Sequence, residues 1–113
     1  MAKSKIPDPL TRRHLIEGTL DPARAHTIAQ AYLAADRAQE AVAFLARADD
    51  EETLEKLWQQ AVADGDAFLL REVAGVLQRA PDAATWQELA DAADGAGKDR
   101  YAAEARRQVA RLA

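Results

Sequence analysis

His14 and His26, the only histidines, together with scattered carboxylates and one serine, are the side chains from which this chain would have to assemble acid–base, metal or nucleophilic chemistry. A helical metal site commonly pairs histidines four residues apart on one face, whereas His14 and His26 fall on different expected helices, so no metal is expected. Asp91 and Asp94 could act as a carboxylate pair, but acids three residues apart are common on solvated helices and no partner base lies near in sequence. Ser4 sits in a segment, residues 1–7, read as a flexible tail. Cys and Asn are absent, and no strand is expected that could carry a nucleophile elbow. The "DGAGKD" stretch from Asp94 to Asp99 contains Gly-x-Gly without the preceding strand or the further spacing of a phosphate loop, and reads as a helix stop and turn. The expectation is a protein that is not an enzyme and takes no cofactor.

The charged residues suggest structure before chemistry. Asp49, Asp50, Glu51 and Glu52 could attract a cation or a basic partner, yet they stand where negative charge favours a helix N-terminus. Arg100, Arg107 and Arg111 share a face of the last expected helix with Glu104, and read as a solvated end face. A net charge of -4 gives a field that repels a phosphate backbone, so no nucleic-acid partner is expected. "MAKSKIPDPL" has no apolar signal region, and the longest apolar run, Ala41 to Ala46, is too short to span a bilayer. No membrane partner is expected, and with cysteine absent the default location is cytoplasmic.

The elements that must position these residues are all helices. The composition is 49% hydrophobic but only 5% aromatic, much of the remainder being alanine, which favours helix and lets helices approach closely. Asp8-Pro9 and Asp21-Pro22 each place a capping acceptor before a proline at the first helical position. These cues predict a short helix from Pro9 to Glu17, ended by Gly18, and a second from Pro22 to about Ala35 with the stripe Ala25, Ile28, Ala29, Tyr32 and Leu33. After Asp36-Arg37 the stripe Ala41, Val42, Leu45 and Ala48 folds back as an antiparallel partner. Leu54, Leu57, Trp58, Ala61 and Val62 form a fourth helix stopped by Gly65. Asp66 caps a fifth, with Phe68, Leu69, Leu70, Val73, Ala74, Val76 and Leu77 apolar on more than one side, which predicts a central, sandwiched helix ending at Ala80-Pro81. Asp82 caps a sixth carrying Trp86, Leu89, Ala90 and Ala93, and Tyr101, Ala102, Ala105, Val109 and Leu112 mark the last. Residues 8–113 thus read as one helical domain.

The hairpin turns Asp36-Arg37, Gly65-Asp66 and Gly97-Lys98 recur at intervals of 29 and 32 residues, the size of a helix-turn-helix repeat. With Ile28, Ala29, Tyr32, Ala41, Leu45 and Ala48 at its key spacings, the first unit resembles the tetratricopeptide repeat, with Ala25 where that family has a leading aromatic. The second unit, Leu54, Leu57, Trp58, Ala61, Leu70, Ala74, Leu77 and Pro81, puts Trp58 where a small residue belongs. The third, Trp86, Leu89, Ala90, Ala93, Ala102 and Val109, has Arg106 where an aromatic is expected, which suits a terminal helix. The resemblance covers Ala25 to Val109, and HEAT-like or vesicle-coat-like repeats would leave nearly the same pattern. It implies an all-α fold of about three antiparallel hairpins plus the short N-terminal helix, stacked as a right-handed solenoid.

In proteins of the family this chain resembles, the first helices of the hairpins line a concave groove that binds peptides. The matching polar positions here are His26 and Gln30, Glu55 and Gln59, and Gln87 and Asp91. They lack the Asn with Lys or Arg of a carboxylate clamp, so a ligand would meet a neutral-to-acidic surface. The leading expectation is a non-enzymatic interaction module or scaffold whose partner is another protein or peptide. Self-association through the Tyr101 to Leu112 helix, giving a homo-oligomer, is the alternative, and a small carboxylate enzyme using Asp91 and Asp94 ranks last.

Overall fold

A computed structural model describes residues 6–113, so Ser4 and most of the expected tail lie outside the described residues; Ile6 and Pro7 are neither helix nor strand. Among the described residues there are seven helices and no strand: α1 Pro9–Glu17, α2 Pro22–Ala34, α3 Ala38–Arg47, α4 Glu51–Asp64, α5 Ala67–Leu77, α6 Ala83–Gly95 and α7 Asp99–Leu112. The described residues group into two compact units, residues 6–54 and residues 55–113.

Each start has a local cause. Carboxylates of Asp8, Asp21, Asp66 and Asp82 accept from the backbone N–H three residues on, at Thr11, Arg24, Leu69 and Thr85. Asp50 Oδ1 accepts from Thr53 N at 3.1 Å in the same way at the head of α4. The acidic run therefore caps and charges a helix N-terminus, with Glu51 and Glu52 in its first turn.

The ends share one device. After each of α2, α3, α4, α5 and α6 comes a residue with positive φ: Asp36 (60°), Asp49 (54°), Gly65 (68°), Gln78 (54°) and Gly97 (72°). At each, the N–H of that residue bonds the carbonyl three before it, and the next N–H bonds the carbonyl five before, as in Arg37 N to Tyr32 O at 2.9 Å and Lys98 N to Ala93 O at 2.8 Å. These are Schellman turns, which satisfy the last carbonyls and reverse the chain in two residues. Four of them run straight into the next helix, because Arg37, Asp50, Asp66 and Lys98 are the N-caps that follow. The fifth, at Gln78, stops α5 three residues before the expected end at Ala80-Pro81: the left-handed residue ends the helix before the proline can.

In the first unit α2 packs on α3. Ala25, Ile28, Ala29 and Tyr32 are buried against Ala41, Val42, Phe44 and Leu45, with the Tyr32 and Phe44 rings stacked at 5.6 Å. Alanines at 25, 29 and 41 are fully buried, where small side chains let the two backbones approach. Leu33 and Ala48, expected in the stripe, are only half-buried.

In the second unit α7 packs on both α6 and α5. The core comes from Leu57, Trp58, Ala61 and Val62 of α4, Ala67, Leu69, Leu70, Val73 and Ala74 of α5, Trp86, Leu89, Ala90 and Ala93 of α6, and only Ala102 and Ala105 of α7. Helix α5 is less enclosed than its apolar run predicts, since Phe68 is 37% exposed and Val76 and Leu77 are half-buried. Ion pairs run over the surface, from Arg71 to Glu104 at 2.9 Å and from Arg106 to Asp94. Such exposed pairs contribute about 0–1 kcal/mol each, against roughly 1.5–3 kcal/mol for burying one Leu or Val, so packing holds this unit and charge decorates it.

Gly65 ties the α4 turn to α6. A Cβ at this position would lie 2.4 Å from both Ala93 Cα and Ala93 N, whereas at Gly97 it would meet nothing within 4 Å. Lys98 Nζ reinforces the contact by donating to Asp64 O at 2.7 Å. Both glycines need positive φ, which costs other residues roughly 1–2 kcal/mol. Gly97→Ala should therefore lose about that much stability, while Gly65→Ala, with a backbone clash added, should lose about 2–5 kcal/mol. Urea unfolding of the two variants side by side checks the difference.

Candidate functional site

The six polar positions singled out by sequence divide between the units. His26 and Gln30 are exposed on α2, one turn apart. His26 Nδ1 lies 3.3 Å from Asp50 Oδ2, joining α2 to the residue that caps α4. Asp50 also accepts from Thr53 Oγ1 at 2.7 Å.

In the second unit Glu55 and Gln59 lie on α4, and Gln87 and Asp91 on α6. Glu55 is engaged by both terminal nitrogens of Arg79, at 2.5 and 2.9 Å, and Gln87 Nε2 donates to Asp91 Oδ1 at 3.0 Å. Gln59 is exposed. The structure thus brings Gln87 and Asp91 together, while His26 and Glu55 each turn to a partner the sequence reading had not paired with them. Asp94, expected alongside Asp91, pairs instead with Arg106 of α7.

Sequence reasoning missed Arg79. Its guanidinium sits 4.2 Å from the centre of the Trp58 ring while it grips Glu55, so cation–π and bidentate contacts share one group. The available signal was Trp58 itself, a large residue at a small-residue position, whose buried ring offers a face to a cation. A shallow, open hollow lined by Lys98, Asp99, Arg100 and Tyr101 at the head of α7 was likewise not foreseen.

Electrostatically these surfaces hold their carboxylates ionised. The Arg79 hydrogen bond draws Glu55 below the ordinary carboxylate range, and Arg37 does the same to Glu40. Hydrogen bonds from Thr53, with a smaller contribution from His26, lower Asp50, and Thr85 and Thr11 lower Asp82 and Asp8. This is the direction that favours anion recognition of cations, and the opposite of the upward shift a general acid uses near neutral pH. Among the described residues no three His, Cys, Asp or Glu side chains gather as a metal site, and no helix is long and apolar enough to cross a membrane. Comparison with protein-family models, curated proteins and solved structures finds no match.

Because these carboxylates have lower pKa values folded than unfolded, their stabilisation is complete above the unfolded value and is lost as pH falls through the folded one. Thermal midpoints should hold steady above about pH 5 and fall below about pH 4. Asp50→Ala should cost about 1 kcal/mol at pH 7 through the lost cap and should flatten that acid slope, as followed by circular dichroism melts.

Proposed function

We propose that the chain is a non-enzymatic protein-interaction module that recognises another protein or peptide through the polar faces of its first helices, in a tetratricopeptide-like, right-handed stack of helix pairs, in the cytoplasm. The observation that carries this reading is in the second unit. There the Gly65 turn that ends α4 abuts Ala93 of α6, and Gln59 of α4 and Gln87 and Asp91 of α6 remain exposed. Two glutamines and a carboxylate facing solvent on these helices suit recognition of a peptide by hydrogen bonds to its amide groups.

Gln59→Arg and Gln87→Arg together alter this face and leave the apolar stripes intact, so the fold should survive. The tagged wild-type chain should capture a partner from its native cells that the folded double variant loses. Capture of the same partner by both would place binding on another face. Gln30→Arg, made separately, reports on the α2 face of the first unit.

Self-association through α7 is supported by one observation, that Leu112 is 47% exposed beside a half-buried Val109. Light scattering showing a strict monomer at high micromolar concentration would remove it.

A further inference from the structure

Helix α1 buries none of its nine residues, and arginines make its polar contacts. Arg12 of α1 lies over the Tyr32 ring at 5.7 Å and over the Phe44 ring at 5.5 Å, and its Nη2 donates to Glu40 O at 3.1 Å. From α3, Arg47 donates to Gly18 O at 2.8 Å and to Ile16 O, gripping the end of α1. Leu15 and Ile16 are half-buried. The chain then passes through exposed Gly18 and Thr19 before Leu20, 8% exposed, anchors it to the core. The segment is thus held by a few side-chain contacts on one side of a two-residue hinge.

The surface beneath it has the chemistry of a guanidinium site. Tyr32 and Phe44 offer stacked aromatic faces, which attract a weakly hydrated planar cation. Glu40 lies at the edge, its carboxylate kept ionised chiefly by Arg37, which grips it at 2.5 and 2.7 Å and also lies over the Tyr32 ring at 5.0 Å, with Arg12 contributing. The fit is nevertheless incomplete. Arg12 Nε and the Tyr32 hydroxyl are both buried with no hydrogen-bond partner among the described residues. A buried polar group in that position has given up its hydration without a bond in return. A segment that supplied an acceptor to the hydroxyl, while placing its own arginine on the rings, would bind here better than α1 does.

We propose that α1 is a displaceable strap, and that the Tyr32–Phe44 ring pair is a docking surface for an arginine-bearing segment of a partner protein, the place Arg12 holds in the free chain beside the resident Arg37. This deepens the interaction-module reading and rests on it, adding a second surface and the side chain that reads it. Displacement of the strap by the partner is a population shift between docked and open forms, each partner contact being made only with the open one.

Two measurements test it. Native-state hydrogen exchange on the full wild-type chain should show α1 amides exchanging at least about tenfold faster than those of α2 and α3, since only the strap opens. Equal protection of α1 and α2 would overturn the proposal. In the second, a fluorescein-labelled peptide of residues 6–20 serves as the probe, with fluorescence anisotropy as the readout. It should bind the full chain carrying Arg12→Ala and Arg47→Ala at least about tenfold more tightly than wild type, because the resident strap is loosened. The same peptide with Arg12→Ala should bind neither. Equal binding of the two peptides would show that the rings do not read arginine. A double variant that becomes a dimer in light scattering, and that the peptide fails to convert to monomer, would assign the surface to strap exchange between copies. Should the double variant fail to fold, the exchange experiment on wild type still decides whether the strap opens. Neither readout involves Gln30, Gln59 or Gln87, so failure of the strap and failure of the groove-face reading are separate outcomes.

Discussion

A left-handed residue at the end of a helix leaves the chain no choice of direction, and here α2 to α6 all end that way in succession. Because the residue after the left-handed one doubles as the next N-cap at four of these turns, helices there follow each other with only two or three residues between them. Such short connections make antiparallel neighbours of α2 and α3 and of α6 and α7, which need small side chains where their backbones approach. The fully buried alanines at positions 25, 29, 41, 61, 90, 93 and 105 answer that need. Turn chemistry and alanine content are therefore one design seen at two levels.

The same turns decide how charge is spent. With backbone carbonyls satisfied within each Schellman motif, polar side chains are left to the surface, and no polar or charged residue among those described is buried as a whole. Arginines then act as surface staples: Arg47 on the end of α1, Arg79 on Glu55 and Trp58, Arg71 on Glu104, Arg106 on Asp94. Each lies on an aromatic face, a carboxylate or a carbonyl, and each is individually weak, so they set orientation while Leu, Val and aromatic burial sets stability.

Helix α1 is where this division leaves least margin. It has the cap and the proline that start a helix but only nine residues and none of them buried, so both its own stability and its docking are weak. A short, loosely attached helix is suited to exchange places with another segment, which connects the fold of the first unit to the recognition role argued for the chain.

The positions of the helices were legible in sequence because their signals are local. Asp-Pro pairs, Asp66 and Asp82, Gly18, Gly65 and Gly97 act through atoms within five residues of themselves, and the observed boundaries of α1, α2 and α4 agree with them to within a residue at the C-terminal ends. Burial was legible where one stripe is plain, in Ala25 to Tyr32 and Leu54 to Val62, and less so in α5, whose apolar residues point more ways than the fold covers. The pairings at the candidate sites were not legible: Glu55 with Arg79, His26 with Asp50 and Arg12 with the Tyr32–Phe44 rings join residues 20 to 32 positions apart. A short-range cap needs only a residue type at a fixed offset, whereas an ion pair or cation–π contact needs two surfaces brought within a few ångströms, and only the packed helices decide which surfaces those are.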